Sequence, residues 1–158
     1  MERIKRFIRE LSEQQWLEVQ ELRDWEILSS VYQLPGQYDK LQPYKDGSNY
    51  DLFPSVQGTT YFFRRTLEIP ANWLPGHIGL IFASGGEGLL RVNGESRQGL
   101  DRNHTFVTLA GDPSGRPLDL EIELFDPVPE PVDPLNQQAV IQPPIRMIHS
   151  QLVLVNRP

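Results

Sequence analysis

At 158 residues with a net charge of −6, 21 Asp and Glu standing against 15 Lys and Arg, the chain is long enough for one self-supporting core and too acidic to favour a phosphate backbone, so no nucleic-acid partner is expected. The sequence contains no cysteine, which removes disulfides, thiol nucleophiles and thiolate zinc sites together. No run approaches the 18 or so apolar residues of a membrane-spanning helix, and the opening MERIKRFIRELSEQQW lacks a signal-type apolar segment; a cytoplasmic protein without a membrane partner is expected.

Ile4, Phe7, Ile8 and Leu11 recur at helical spacing with Arg3, Lys5, Arg6, Arg9 and Glu10 between them. That pattern predicts a short amphipathic helix over residues 2–12 that docks one apolar stripe. From Trp16 to Leu22 the pattern leaves helix and strand open, whereas Trp25, Ile27 and Val31 alternate as a strand does. Residues 33–58 hold Leu34-Pro35-Gly36, Pro43, Asp46-Gly47 and Phe53-Pro54, turn formers that predict a long surface connection.

The densest β signals lie between Thr59 and His104. Tyr61, Phe63, Arg65, Leu67 and Ile69 point one way along a strand, and Thr60, Phe62, Arg64, Thr66 and Glu68 the other. Arg65 on the apolar side calls for a carboxylate partner or an exposed strand end, since an unpaired guanidinium is not buried. Pro70 stops the ladder, and Trp73-Leu74-Pro75-Gly76 turns the chain into a strand over 77–83. A third strand, 87–92, enters Asn93-Gly94, the pair suited to a type I′ hairpin because both central residues need positive φ, and the return strand is 95–100.

Strands are predicted next over 104–109 and 117–125. In the second, Leu118, Leu120, Ile122 and Leu124 alternate with Asp119, Glu121 and Glu123, the mark of a half-buried strand with a solvated face. Pro127, Pro129, Pro131, Pro134, Pro143 and Pro144 make 126–144 an extended segment suited to crossing between sheets, ahead of a last strand over 145–155. One short helix with seven or eight strands and long connections gives a mostly β protein, a single β-sandwich domain of jelly-roll type over 1–158, with a β-barrel as the alternative. No terminal helix or polar tail follows the last strand, and a domain truncated from a larger protein is expected.

Candidate chemistry is sparse. His77, His104 and His149 are far apart and form no His-x-x-x-His or His-x-Asp pair, so no metal site is expected in this chain. No Gly-x-Ser-x-Gly elbow is present. Gly85-Gly86-Glu87-Gly88 lacks both the Lys-Ser/Thr and the following helix of a phosphate loop. Asp119, Glu121 and Glu123 could supply the two acids of glycoside hydrolysis, but their alternation reads as a solvated strand face. Asp101-Arg102-Asn103-His104 gathers an acid, a guanidinium, an amide and an imidazole between two strands. It reads either as an Asp-initiated turn or as a polar cluster facing a ligand or a neighbouring domain. Trp16, Trp25 and Trp73 either stack on sugar rings or pack into the core.

Several short motifs carry a family likeness: the Arg- and Lys-rich opening helix, the Trp25 strand leading to Leu34-Pro35-Gly36-Gln37-Tyr38, Thr59-Thr60-Tyr61-Phe62-Phe63-Arg64, and Ile69-Pro70 with Trp73. The hairpin from Glu87-Gly88-Leu89 to Val92-Asn93-Gly94, and Gly99-Leu100-Asp101 with His104, complete the set. Together they resemble the N-terminal, non-catalytic β domain of the cytosolic α-mannosidases of glycoside hydrolase family 38. The Arg-Arg strand, Ile-Pro, Trp and Val-Asn-Gly elements are also similar to the sugar-binding, galactose-binding-like jelly roll that opens family 2 glycosidases.

The first resemblance implies an accessory domain that packs on the catalytic domain of the same chain and supports its cleft or a homo-oligomer. It places a zinc ion, with His and Asp ligands and an Asp nucleophile, in that other domain. It brings no catalytic residue, metal ligand or cofactor to this chain, which it implies is inactive alone. Glu87, Asn93, Asp101, Arg102 and His104 are the residues expected to face the other domain or a carbohydrate. The competing readings are an autonomous carbohydrate-binding module, the jelly-roll domain of a family 2 glycosidase, and a small enzyme in its own right.

Overall fold

The computed structural model describes residues 4–5, 15–34, 37–109, 115–128 and 143–156, with backbone alone at 32–34. Eleven strands are present among them: β1 (Trp16–Glu21), β2 (Glu26–Leu34), β3 (Gln37–Tyr38), β4 (Gln42–Pro43), β5 (Thr59–Leu67), β6 (His77–Ala83), β7 (Glu87–Val92), β8 (Glu95–Leu100), β9 (Phe106–Leu109), β10 (Leu118–Phe125) and β11 (His149–Val155). All pairs are antiparallel, in two sheets ordered β1-β11-β6-β9 and β3-β2-β5-β10-β7-β8, with β4 joining β2.

The period-two pattern of β10 explains its central place in the larger sheet. Leu118, Leu120, Ile122 and Leu124 are all buried, so this strand lends one complete face to the core while β5 and β7 flank it. From the smaller sheet, Ile78, Leu80, Phe82, Val107, Leu109 and Leu152 close on the same cluster. The result is a β-sandwich, as the strand count and long connections predict.

Aromatic rings bridge the two layers. Phe63 on β5 lies 5.4 Å from Phe82 on β6 and 6.3 Å from Trp25, both near-perpendicular, as the ring quadrupoles favour. Trp25 also donates its indole N–H to Ser150 Oγ at 3.1 Å, so a polar link accompanies the packing between sheets. Trp25 and Trp73 are buried, and Trp16 stacks on Phe106 at 5.5 Å.

The hairpin between β7 and β8 has the predicted geometry, with φ of 51° at Asn93 and 82° at Gly94. Arg65 has the carboxylate partner its position demands: Nη1 pairs with Asp24, and the guanidinium lies 5.7 Å from the Trp25 ring.

Three local expectations change. The undecided stretch at 16–22 is an edge strand with Leu17 and Val19 exposed, followed by a fully buried Leu22 whose N–H donates to Ser150 O. Residues 33–58 are not merely a surface connection. Tyr50 and Phe53 are buried, and this segment is tied to the approach of β11 by Phe53 N–H to Arg146 O and Ile148 N–H to Tyr50 O. Isolated rings among turn formers have no period, so the pattern alone could not separate an anchoring loop from a solvated one. The last strand begins at His149, and Ile145 and Ile148 are buried in irregular backbone before it.

Ile4 and Lys5 are helical, and the rest of the predicted helix 2–12 lies outside the described residues, as does 129–142 of the Pro-rich segment. Between β10 and β11 the chain does pass from one sheet to the other. Among the described residues no helix is long and apolar enough to cross a membrane.

Candidate functional site

Because side chains alternate along a strand, the strands that send Phe63, Leu90 and Ile122 inward present a second face of the larger sheet. Register sets the rows of that outer face. Glu87, Phe125 and Thr60 stand side by side on β7, β10 and β5; Leu89, Glu123, Phe62 and Leu28 form the next row, and Arg91, Glu121, Arg64 and Glu26 the third.

The rows alternate apolar with charged groups, and the charges are paired. Arg64 Nε donates to Glu121 Oε2 at 2.7 Å, and Arg91 reaches Glu121 Oε1 at 3.1 Å and Glu123 Oε2 at 2.7 Å. The Tyr38 hydroxyl donates to Glu123 Oε1. Hydrogen bonding to Glu123 pushes the Arg91 guanidinium above its ordinary range, with the charges of Glu123 and Glu121 adding to it against the opposing effect of burial. Tyr38 and Arg64 cap Phe62, with its ring 5.4 Å from Tyr38 and 5.9 Å from the Arg64 guanidinium carbon.

Two hollows open on this face. One, of about 420 Å³, is lined by Tyr38, Thr60, Glu87, Leu89, Arg91, Glu123 and Phe125. The other, of about 360 Å³, is lined chiefly by charged groups including Glu26, Arg64, Asp119 and Glu121. Arg91 borders both, so the ion-pair network forms the ridge between them.

The residues singled out from sequence do not form one site. Glu87 stands at the mouth of the first hollow. Asn93 fastens its own hairpin, with its N–H donating to Asp119 O at 2.8 Å and its Oδ1 accepting from Asp119 N–H at 2.9 Å. Asp101 Oδ1 accepts from the N–H groups of Asn103 at 2.7 Å and His104 at 3.0 Å, and pairs with His104 Nδ1 at 3.0 Å. This is the Asp-initiated turn of the blander reading. Arg102 and His104 are exposed beside it, one residue beyond the Leu100–Gly88 pair of β8 and β7.

Sequence reasoning missed Arg64, Arg91, Thr60 and Tyr38, and assigned Glu121 and Glu123 to a solvated face. The available signal was an arginine at an outward position on each of two strands. Joining them to the glutamates requires the order β5-β10-β7, which is a property of the whole sheet. Among the described residues no group of three or more His, Cys, Asp or Glu could hold a metal ion.

The hydrogen bond from the Asn103 N–H, with contributions from His104, lowers the Asp101 carboxyl below its ordinary range. The depressed folded value means that this carboxylate supports the turn fully above the unfolded value of about 3.9, and that support is lost as pH falls through the folded one. A carboxyl-detected NMR titration is expected to place Asp101 below the exposed Asp46; coincident titration would show the turn to be open in solution.

No family model matches the chain, and no curated protein matches it. Its fold is similar to solved structures of Bacteroides uniformis β-glucuronidases. β-Glucuronidase 2 with covalently bound cyclophellitol-6-carboxylate aziridine matches at 18% identity with a TM-score of 0.51, over 88% of this chain and 18% of that one. A calcium-binding mutant of the same enzyme matches at 15% identity and 0.50 over the same shares, and a further Bacteroides uniformis β-glucuronidase structure at 17% and 0.50. The chain therefore spans about a fifth of the length of those enzymes, and at these identities the likeness establishes the fold.

These neighbours correct the resemblance to family 38 α-mannosidases: they are β-glucuronidases, of the family 2 type that the second resemblance named. The physical reason lies in what the shared motifs do. Thr59-Thr60-Tyr61-Phe62-Phe63-Arg64 is a sheet strand, Ile69-Pro70 ends its ladder, and Val92-Asn93-Gly94 is a type I′ turn. Each builds a jelly roll, and none touches the chemistry of an attached catalytic domain. The zinc expected in such a domain rested on the mannosidase likeness alone.

Proposed function

We propose that this chain is the non-catalytic jelly-roll domain of a glycoside hydrolase of the family 2 type, acting beside a catalytic domain rather than cleaving glycosidic bonds itself. One observation carries the reading: the sandwich accounts for 88% of this chain but matches only 18% of β-glucuronidase 2, as one domain among others would. The local chemistry is in keeping with it. Glu121 and Glu123, the nearest to a pair of acids, are both held in ion pairs with arginines, which leaves neither free to protonate a leaving group and the other to attack.

The test is turnover by the purified chain across a panel of aryl glycosides, including the β-glucuronide. No hydrolysis is expected, with a glycosidase catalytic domain encoded in the same or an adjacent reading frame. Hydrolysis that survives purification and disappears in Glu121→Gln or Glu123→Gln would overturn the reading.

A further inference from the structure

We propose that the hollow between β7, β10 and β5 binds a neutral pyranoside, one sugar unit of a glycan, on the outer face of the larger sheet. The inference stands on the geometry of that hollow and does not need the chain to belong to a glycosidase.

Its floor and its walls differ in kind. Phe125 and Leu89, both half-buried, give an apolar patch between adjacent strands, while Thr60, Glu87 and Arg91 bring hydroxyl, carboxylate and guanidinium groups to the edges. A cavity of about 420 Å³ with an apolar lining and a few convergent polar groups has the form of a small-molecule site. A pyranose presents the complementary surface, an apolar C–H face with hydroxyls around its rim, and an aromatic ring is a suitable platform for the apolar side.

Thr60 supplies the observation that points to a ligand. The residue is only 2% exposed, its side chain belongs to the outer row with Phe125 and Glu87, and its hydroxyl makes no hydrogen bond to a described residue. A nearly buried hydroxyl left in that state is costly unless something else satisfies it. Glu87 likewise has no ion-pair partner among the described residues, so its carboxylate is open to accept from vicinal hydroxyls.

Charge decides which sugar. Glu87 and Glu123 stand against Arg91 alone in the lining, and Arg91 is held by Glu121 and Glu123. A uronate would meet the Glu87 carboxylate with no free cation beside it, a like-charge contact that discriminates against it. The same ion pairs hold Arg91 in place before any ligand arrives, which lowers the ordering cost of binding.

The test is a two-dimensional NMR titration of the full chain with methyl β-D-glucopyranoside, methyl β-D-galactopyranoside and methyl β-D-glucuronide. Millimolar binding of at least one neutral pyranoside is expected, with the largest shifts at the Thr60, Leu89 and Phe125 amides. Phe125→Ala and Glu87→Gln are each expected to weaken it about tenfold, the scale of one charge-assisted contact, and Arg23→Ala, at an exposed pair with Asp51, is expected to leave it unchanged. Glu87 is exposed, so its variant keeps the fold even where Phe125→Ala does not. No shifts with either neutral sugar, shifts centred on the Asp101–His104 turn, or tighter binding of the glucuronide would each overturn the proposal. Such a failure leaves the accessory-domain reading standing, and hydrolysis by the isolated chain would overturn that reading without touching this one.

Discussion

Replacing Phe63 by alanine is expected to lower the unfolding free energy by about 3–5 kcal/mol, the range for deleting a large core aromatic. Phe63 is fully buried, in register with Ile27 on β2 and Ile122 on β10, and its ring meets Trp25, Phe53 and Phe82 at 6.3, 5.8 and 5.4 Å. The neighbours cannot close over the hole. Trp25 is held by its indole bond to Ser150 and by the hydrogen bond its backbone N–H donates to the Tyr50 hydroxyl at 3.2 Å, and Phe82 sits in the opposite sheet. A domain of this size has roughly 5–15 kcal/mol in total, so the variant is expected to be partly unfolded well below the wild-type melting temperature. Urea denaturation measures the loss, and Phe63→Leu should recover most of it. A loss under about 1 kcal/mol would mean that the sheets do not meet at this ring.

Where a segment obeys a period of two, its place could be read directly. The alternation in β10 and the Asn93-Gly94 turn after β7 carry their structure in adjacent residues, and both strands run within a residue of their expected limits. β1 was ambiguous because an edge strand buries little: after Trp16 its residues are all exposed, so apolar and polar positions are not sorted by burial. Tyr50 and Phe53 escaped for the opposite reason. They are single anchors in irregular backbone, and their burial is imposed by Arg146 and Ile148 from the far end of the chain.

The outer-face groove was legible only in fragments. Glu121 and Glu123 were recognised as one face of a strand, but their fate depended on Arg64, 57 positions from its partner, and on Arg91, 30 positions away. Such pairs are created by strand order, and no local pattern records strand order. The polar run at Asp101–His104 drew notice because its residue types cluster in sequence, and that clustering is what an Asp-capped turn requires. Density of polar groups along the chain thus marked a turn, while the convergence of polar groups in space lay elsewhere.

The second large effect is expected at Asp126, where alanine should cost about 2–4 kcal/mol, the sum of a lost charge-assisted hydrogen bond and a donor left unsatisfied. Asp126 is 1% exposed and is fastened at four points. Its carboxylate accepts from the Ser55 hydroxyl and from Ile145 N–H at 3.3 Å, its own N–H donates to Thr59 O at 3.0 Å, and its carbonyl accepts from Gly58 N–H at 2.8 Å. It therefore holds the exit of β10 to the approach of β5 and to the return of the chain before β11. Alanine keeps the two backbone bonds and removes both side-chain bonds, stranding the Ile145 N–H beside a side chain only 3% exposed. Asp126→Asn retains an acceptor for that N–H and should lose about half as much. The exposed Arg23–Asp51 pair gives the contrast, since breaking it is expected to cost well under 1 kcal/mol. Urea denaturation of the three variants tests the order, and hydrogen exchange at Ile145 tests the cause. Exchange there should quicken strongly in Asp126→Ala and little in Arg23→Ala, and equal losses in the two would show that the clamp is not what seats residues 143–148 on the sandwich.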